Sequence, residues 1–471
     1  MKKIILTLIF TVLTLNMLSN IDKLFIKKPY AAHNYSFYDE PKNSIDMMFF
    51  SSSTQHYAIS PMYLWDKYGI VSYKKSIPHQ SAPELTAYIE EALHYQSPKV
   101  IYVDVQSIMS YSNYPNQYFI MTLGQIKSYY IRYKYLYKFC GINCMLNDGN
   151  TLSKFHTRWK LVINEDFKAE DYLKGFQDFW HSYKVTPQEK IKFDFNDKIE
   201  ITDTMEAGLK YLFNLAEKNN ANLVFVAAPV FSKSMVMKRV AAFEDLAEKY
   251  NLNYINLNNH LEEMDFDVKK DMTDSGHPNF HGGKKIMDFV IPKIIEQYKL
   301  QDHRNDTKYL KWHSDYLKYK RVINREEMRR DSQSFSIWYD RALYDNYTML
   351  ISTNGDNVLN ILPQDMKDKF KTLGLNKFET DKKNQKYVAI IDDGQVFYEE
   401  ISDERAEYKG RMKNLVNLTV SSENKNAAIN VSGKPKSKNK YGINFVIYDK
   451  VNREVVDSIW IEPNKADKVK R

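Results

Sequence analysis

Between Ser44 and Tyr298 the chain alternates short apolar runs with stretches of helical spacing, and this alternation restricts its possible folds most. Ile45-Asp-Met-Met-Phe-Phe50, Val100-Ile-Tyr-Val-Asp-Val105 and Leu223-Val-Phe-Val-Ala-Ala-Pro229 are nearly unbroken in apolar residues. A strand that is apolar on both sides needs cover on both faces, which is the environment of a parallel sheet. Ile70–Tyr73 and Asn253–Leu257 read as further short strands. Between them, Pro83–Tyr95, Met205–Lys218, Met237–Tyr250 and Lys284–Tyr298 repeat apolar residues at helical spacing, with Ser81 as a cap for the first. The pattern predicts an α/β fold, a parallel sheet with helices on both faces. Sites in such sheets form at the carboxyl ends of the strands.

A different texture begins near Ser336. Thr348–Ser352, Tyr387–Ile391, Val396–Tyr398, Leu418–Val420, Ile443–Tyr448 and Ser458–Ile461 read as strands, with turns at Asp393-Gly394 and Lys440-Tyr-Gly442 and one helix, Gln364–Leu373. A chain of 471 residues has room for such a second, β-rich (α+β) domain. The expected organisation is a signal-anchor over 1–28, an α/β domain over 29–300, a basic charged linker or helix over 301–335 and a β-rich accessory domain over 336–471.

Met1-Lys-Lys3 precedes the apolar run Ile4–Leu18, the layout of an export signal. The expectation is an uncleaved membrane anchor with the remainder extracytoplasmic, or a secreted protein if Tyr30-Ala-Ala-His33 is cleaved. The formal charge of +8 is modest, and basic residues gather between Lys308 and Arg330. They form either a solvated helix or a contact for anionic lipid or polymer. No recognition motif accompanies them, so nucleic acid is not an expected partner. Cys140 and Cys144 lack further ligands for zinc. They form a local disulfide or remain two small buried thiols, the second reading being favoured. Tyr129–Phe139 is read as a helix packing its tyrosines, with an exposed carbohydrate surface as the alternative.

The chemistry concentrates in Asp271-Met-Thr-Asp-Ser-Gly-His-Pro-Asn-Phe-His-Gly-Gly283. Asp274 and His277 are spaced to let the carboxylate orient the imidazole, the base half of a catalytic triad. Phe49-Phe-Ser-Ser-Ser-Thr-Gln-His56, after the first strand, supplies a nucleophile. Ser53 would attack, His277 would take its proton and Asp274 would orient His277. His281 competes for the base role and Asp271 for the acid role. The plain alternative is a polar turn and a loop hydrogen bond.

These residues carry a resemblance. Phe50-Ser51-Ser52-Ser53-Thr54, Ile59-Ser-Pro61 and Asp274-Ser-Gly-His277 with Pro278-Asn279 and Gly282 resemble the blocks of the SGNH/GDSL hydrolase superfamily. They are most similar to its membrane-anchored bacterial members of the teichoic-acid D-alanylation (DltD-like) and alginate-acetylation kind. The resemblance implies a flavodoxin-like three-layer domain and a Ser53, His277, Asp274 triad that needs no cofactor and no metal. Ser51 replaces the first-block glycine, no glycine stands in Tyr73–Gln80, and no Gly-x-Asn follows Val105. The oxyanion donors would then be the backbone N–H of Ser53 with Ser76 and Gln80; losing one such donor costs about a hundred- to a thousandfold in rate. Gly442–Asp449, Val455-Val-Asp457, Leu373-Gly-Leu375 and Tyr387-Val-Ala389 weakly resemble the interleukin-like EMT-inducer domain.

The expected function is an extracytoplasmic serine esterase or deacylase acting on acylated cell-surface or exported polysaccharide. The alternatives are an acyltransferase or accessory factor in cell-envelope polysaccharide modification, and a catalytically inactive carbohydrate-binding or scaffold protein. Expected partners are the acylated glycan, the membrane through the N-terminal segment, and envelope-assembly proteins.

Overall fold

The apolar runs become strands. The computed structural model describes residues 2–25, 36–111, 117–148, 160, 171–176, 184–191, 193–232, 234–330, 334–344, 347–412, 416–465 and 468–471. It contains two compact units, Met1–Tyr319 and Lys320–Arg471.

In the first unit, β1 (Met47–Ser51), β2 (Ser72–Ser76), β3 (Val100–Asp104), β4 (Asn222–Ala227) and β5 (Tyr254–Asn256) form one parallel sheet in the order β2-β1-β3-β4-β5. A small antiparallel hairpin follows, β6 (Met272–Asp274) and β7 (His277–Pro278). The helices are α1 (Lys2–Phe25), α2 (Pro61–Tyr68), α3 (Ala82–Leu93), α4 (Val105–Ile108), α5 (Gln117–Gly124), α6 (Tyr129–Asp148), α7 (Asp203–Lys218), α8 (Met235–Lys249) and α9 (Phe280–Tyr298).

Sequence signals set several helix ends. The Ser60 hydroxyl accepts from Tyr63 N and Pro61 opens α2, while Ser81 and Glu84 close a capping box on α3. Helix α9 starts at Phe280, earlier than its apolar spacing suggests, because the Asn279 side chain caps Gly282 N. On one sheet face Met47, Phe49, Val100, Tyr102, Val224 and Val226 pack with Leu64 of α2 and with Ile286, Val290 and Ile294 of α9. Phe225, with the opposite alternation, meets Phe213 of α7 and Phe243 of α8 at ring separations of 6.4 and 5.2 Å. The sheet is thus covered on both faces, as continuous apolar strands require.

Strand β2 departs from expectation. It begins and ends later than Ile70–Tyr73, because Lys74 and Lys75 lie inside it, fully buried. The segment 171–176 covers this edge strand: Lys74 N donates to Lys174 O at 3.1 Å. Gly175 adopts φ +87, and a Cβ there would stand 1.9 Å from Lys74 O. Lys174 anchors the cover through Glu40 at 2.6 Å and Asp315 at 2.7 Å. Lys74 donates to His56 O at 2.6 Å, whereas the Lys75 ammonium has no hydrogen-bond partner among the described residues and sits among the rings of Phe37, Tyr38 and Tyr88 at 4.5–5.0 Å.

Two further readings change. Cys140 is disulfide-bonded rather than a thiol, and it precedes Gly141, whose φ of 75° breaks the regularity of α6. Helix α6 buries Tyr135 but leaves Tyr130 and Tyr137 73% and 60% exposed. Helix α1 exposes Ile4, Leu6, Leu8 and Phe10. Among the described residues no helix is long and apolar enough to cross a membrane. Tyr30–His33 lies outside the described residues.

The boundary between the units falls within α10 (Leu310–Arg330). The second unit starts with the rest of α10 and α11 (Phe335–Tyr344). Strands β8 (Thr348–Asn354), β9 (Lys386–Asp392), β10 (Gln395–Ser402), β15 (Gly442–Asp449) and β16 (Glu454–Ile461) form an antiparallel sheet in the order β10-β9-β8-β15-β16. A second sheet holds β11 (Arg405–Arg411), β12 (Asn417–Glu423), β13 (Asn426–Val431) and β14 (Lys434–Pro435). Leu350, Val388, Ile390 and Val446 of the first sheet pack against Leu418, Val420 and Ile429 of the second. Met349, Ile351 and Phe445 face Trp338 of α11 and Met366 and Phe370 of α12 (Gln364–Thr372). Basic residues of α10 here are answered internally, Arg325 by Glu454 at 2.6 Å and Arg330 by Glu326 at 2.9 Å.

Burial pulls the Lys74 ammonium down to about 7 and that of Lys75 to about 8, with Asp171 and Glu91 opposing the shift only in part. The unfolded chain holds these protons up to the ordinary value of 10.5. Between the folded and unfolded values the unfolded state binds more protons, so stability rises with pH there. Below the folded values the burial penalty is complete. The melting temperature should therefore climb from about pH 7.5 to about pH 9.5, and Lys75→Met should flatten that climb while raising stability at neutral pH. Calorimetry across this range checks both.

Candidate active site

The carboxyl edge of the parallel sheet gathers the polar residues. Strand β1 ends at Ser51 and the chain turns at once into a short 3-10 helix, Ser53–Gln55. Asp104, the last residue of the neighbouring strand β3, is fully buried against this turn. Its Oδ2 accepts from Ser52 N at 3.3 Å, Ser52 Oγ at 3.1 Å, Thr54 Oγ1 at 2.8 Å and Ser107 Oγ at 2.7 Å. Its Oδ1 accepts from Gln55 Nε2 at 3.2 Å and Gln106 N at 3.3 Å. Gln55 is fixed again by Tyr102, whose hydroxyl donates to Oε1 at 2.5 Å. Behind the turn, Ser76 Oγ meets His56 Nδ1 at 3.0 Å.

This arrangement separates the serines. Ser51 is enclosed in the strand, Ser52 is held by Asp104, and Ser53 alone of the three is half-buried. Ser53 also heads the 3-10 turn, where first-turn N–H groups have no partner within the helix.

The second half of the site is the β6–β7 hairpin. Asp274 Oδ1 lies 2.7 Å from His277 Nδ1 and accepts from Gly276 N at 2.9 Å. Burial by itself raises the Asp274 carboxyl, but the hydrogen bonds from His277 and the Gly276 amide outweigh it and hold the group below the ordinary carboxylate value. Asp271 takes a different role: it is buried, accepts from Asp267 N at 2.7 Å and pairs with Lys285 at 2.8 Å. Asp274 is thus the carboxylate on His277. His281 lies in the first turn of α9.

Two contacts bring the halves together. The Tyr57 ring lies 6.1 Å from that of His277. A Cβ on Gly283 would stand 2.1 Å from Ala58 O, so only glycine lets α9 approach the segment after Ser53 this closely. Ser53, Asp274 and His277 therefore share one edge of the sheet, and β7 contacts the Ser53–Gln55 turn. No hydrogen bond joins Ser53 Oγ to His277 among the described residues.

No protein-family model and no curated protein matches this chain. The chemistry must be read from the side chains.

Of the expected oxyanion donors, Ser76 is engaged by His56. Gln80 is 1% exposed, and among the described residues neither Nε2 nor Oε1 has a hydrogen-bond partner, a costly state for a buried amide. Gln106 follows β3 at the start of α4, is half-buried, and has no partner for its Oε1 among the described residues. Among the described residues no group of three His, Cys, Asp or Glu side chains is arranged for a metal ion.

Sequence reading missed Asp104, Tyr57 and Gln106 as site residues. An acidic residue ending an otherwise apolar central strand was the available signal for Asp104. Replacing Asp104 by Ala would leave several buried donors unpaired, and stability should fall by roughly 3 kcal/mol or more. A urea titration reads this loss, and Asp104→Asn, which keeps one acceptor oxygen, should lose less.

Proposed function

We propose that this protein is an extracytoplasmic serine esterase of the SGNH type that removes acyl groups from a cell-surface or exported polysaccharide. The observation that carries the reading is the Asp274–His277 pair beside the half-buried Ser53 at the carboxyl edge of a parallel sheet. The strand order β2-β1-β3-β4-β5 supports it, being a common order of doubly wound, flavodoxin-like sheets. The disulfide at Cys140 supports an oxidising compartment. A membrane anchor near the N-terminus belongs to the same proposal and rests on Met1-Lys-Lys3 and the apolar run behind it. The resemblance of the second unit to the interleukin-like EMT-inducer domain is carried as part of the proposal, its role being glycan contact.

Asp274 occupies Nδ1 of His277, which leaves Nε2 to accept the Ser53 proton. Ser53 Oγ attacks the acyl carbon, and the resulting oxyanion is received by the Ser53 N–H and a nearby amide, Gln80 or Gln106. Collapse breaks the ester bond, and His277 returns the proton to the departing sugar hydroxyl. Water, deprotonated by His277, then cleaves the acyl-enzyme and frees the acid and Ser53. A sugar hydroxyl in place of water would make the same residues a transferase.

One observation favours a second reading. The lack of a direct Ser53–His277 hydrogen bond suits an inactive carbohydrate-binding protein, although such bonds often tighten only with substrate bound. A fluorophosphonate probe separates the two. Labelling should occur in the parent protein, vanish in Ser53→Ala and fall by at least about a hundredfold in His277→Ala. Equal weak labelling of parent and Ser53→Ala would leave the inactive reading standing.

A further inference from the structure

A cleft of about 570 Å³ lies between the end of α3, the start of α6 and the end of α7. Its volume is typical of ligand sites, which run about 300–1,000 Å³. It is lined by Tyr130, Tyr211, Asn214, Lys218, Asn219 and His94, above a floor that includes Glu90. The floor is rigid. Glu90 is buried, and its carboxylate accepts from Lys134 Nζ at 2.7 and 2.9 Å, from Tyr135 OH at 3.0 Å and from Tyr211 OH at 3.0 Å. Lys134 also donates to Tyr211 OH at 2.9 Å, so the Tyr211 phenol is fixed on both sides.

The rim has the opposite character. Tyr130 is 73% exposed, a large aromatic surface that the fold does not use. The Asn214 side chain makes no hydrogen bond and Lys218 no ion pair among the described residues. The single acid of the cleft is already matched by Lys134, so Lys218 leaves the lining net positive. Flat tyrosine faces beside free amide and ammonium donors suit a ligand with apolar C–H faces and peripheral oxygens. A pyranose ring has both, and a carboxylated one adds a partner for Lys218.

We propose that this cleft is a non-catalytic subsite for an acidic oligosaccharide segment, stacked on Tyr130 and held by Asn214 and Lys218. This rests on the glycan esterase reading and extends it to how the polymer is gripped. The cleft lies at the far end of α3 from the catalytic edge, about 18 Å along that helix. A polymer that wraps this distance engages two sites at once, which raises its effective concentration at Ser53. A short ester cannot.

The test uses the full chain carrying Ser53→Ala, so that binding is read without turnover. Titration calorimetry with oligogalacturonate, and with chito-oligosaccharide as the neutral comparison, should give binding stronger for the acidic probe. Tyr130→Ala and Lys218→Ala should each weaken it at least about fivefold. In the Ser53-containing protein, Tyr130→Ala should leave fluorophosphonate labelling and hydrolysis of a small aryl ester unchanged. No binding of the acidic probe, preference for the neutral one, or binding that survives Tyr130→Ala overturns the proposal. Loss of probe labelling at Ser53 in the parent would instead overturn the esterase reading, whatever the cleft binds.

Discussion

The carboxylate of Asp104 organises the carboxyl edge of the parallel sheet in the first unit. A fully buried anion is tolerable only when its lone pairs are filled, and here six donors from two segments, Ser52–Gln55 and Gln106–Ser107, converge on it. That requirement fixes the turn after β1 more firmly than local propensity would. It also sorts the serine run, since Ser52 and Thr54 are drawn inward and Ser53 is left toward the edge. The placement of Ser53 thus follows from electrostatics one strand away.

How much of this was legible follows the range of each interaction. Strands β1, β3 and β4 announced themselves because both their faces are buried, which writes an unbroken apolar run. Asp274 and His277 were legible because their pairing is local. Asp104 was not, because its partners on the serine turn lie some fifty positions away and a terminal acid in a strand has many bland explanations. Strand β2 was misjudged because two lysines ordinarily end a buried strand. β11 and β13 were missed because their burial alternates and their outward residues are polar or small.

The lysines of β2 show what that strand contends with. As an edge strand it exposes a row of backbone groups to pairing by other chains. The segment 171–176 closes part of that row, and its hold depends on Lys174 between Glu40 and Asp315. Lys74 in turn supports the loop behind Ser53 through His56 O. Protection of the sheet edge and support of the Ser53 turn therefore share one strand.

The bare backbone approach of Gly283 to Ala58 has a consequence for how the molecule is assembled. Ser53 and His277 come from opposite ends of the first unit, and they meet only when the β6–β7 hairpin and α9 dock on the segment after β1. Contacts of such long sequence separation are costly in chain entropy until most of the structure has formed. On the growing chain, the serine turn emerges long before its histidine. The juxtaposition of Ser53 with His277 is therefore among the last features of the first unit to form, and a chain stopped short of α9 holds the serine turn without it.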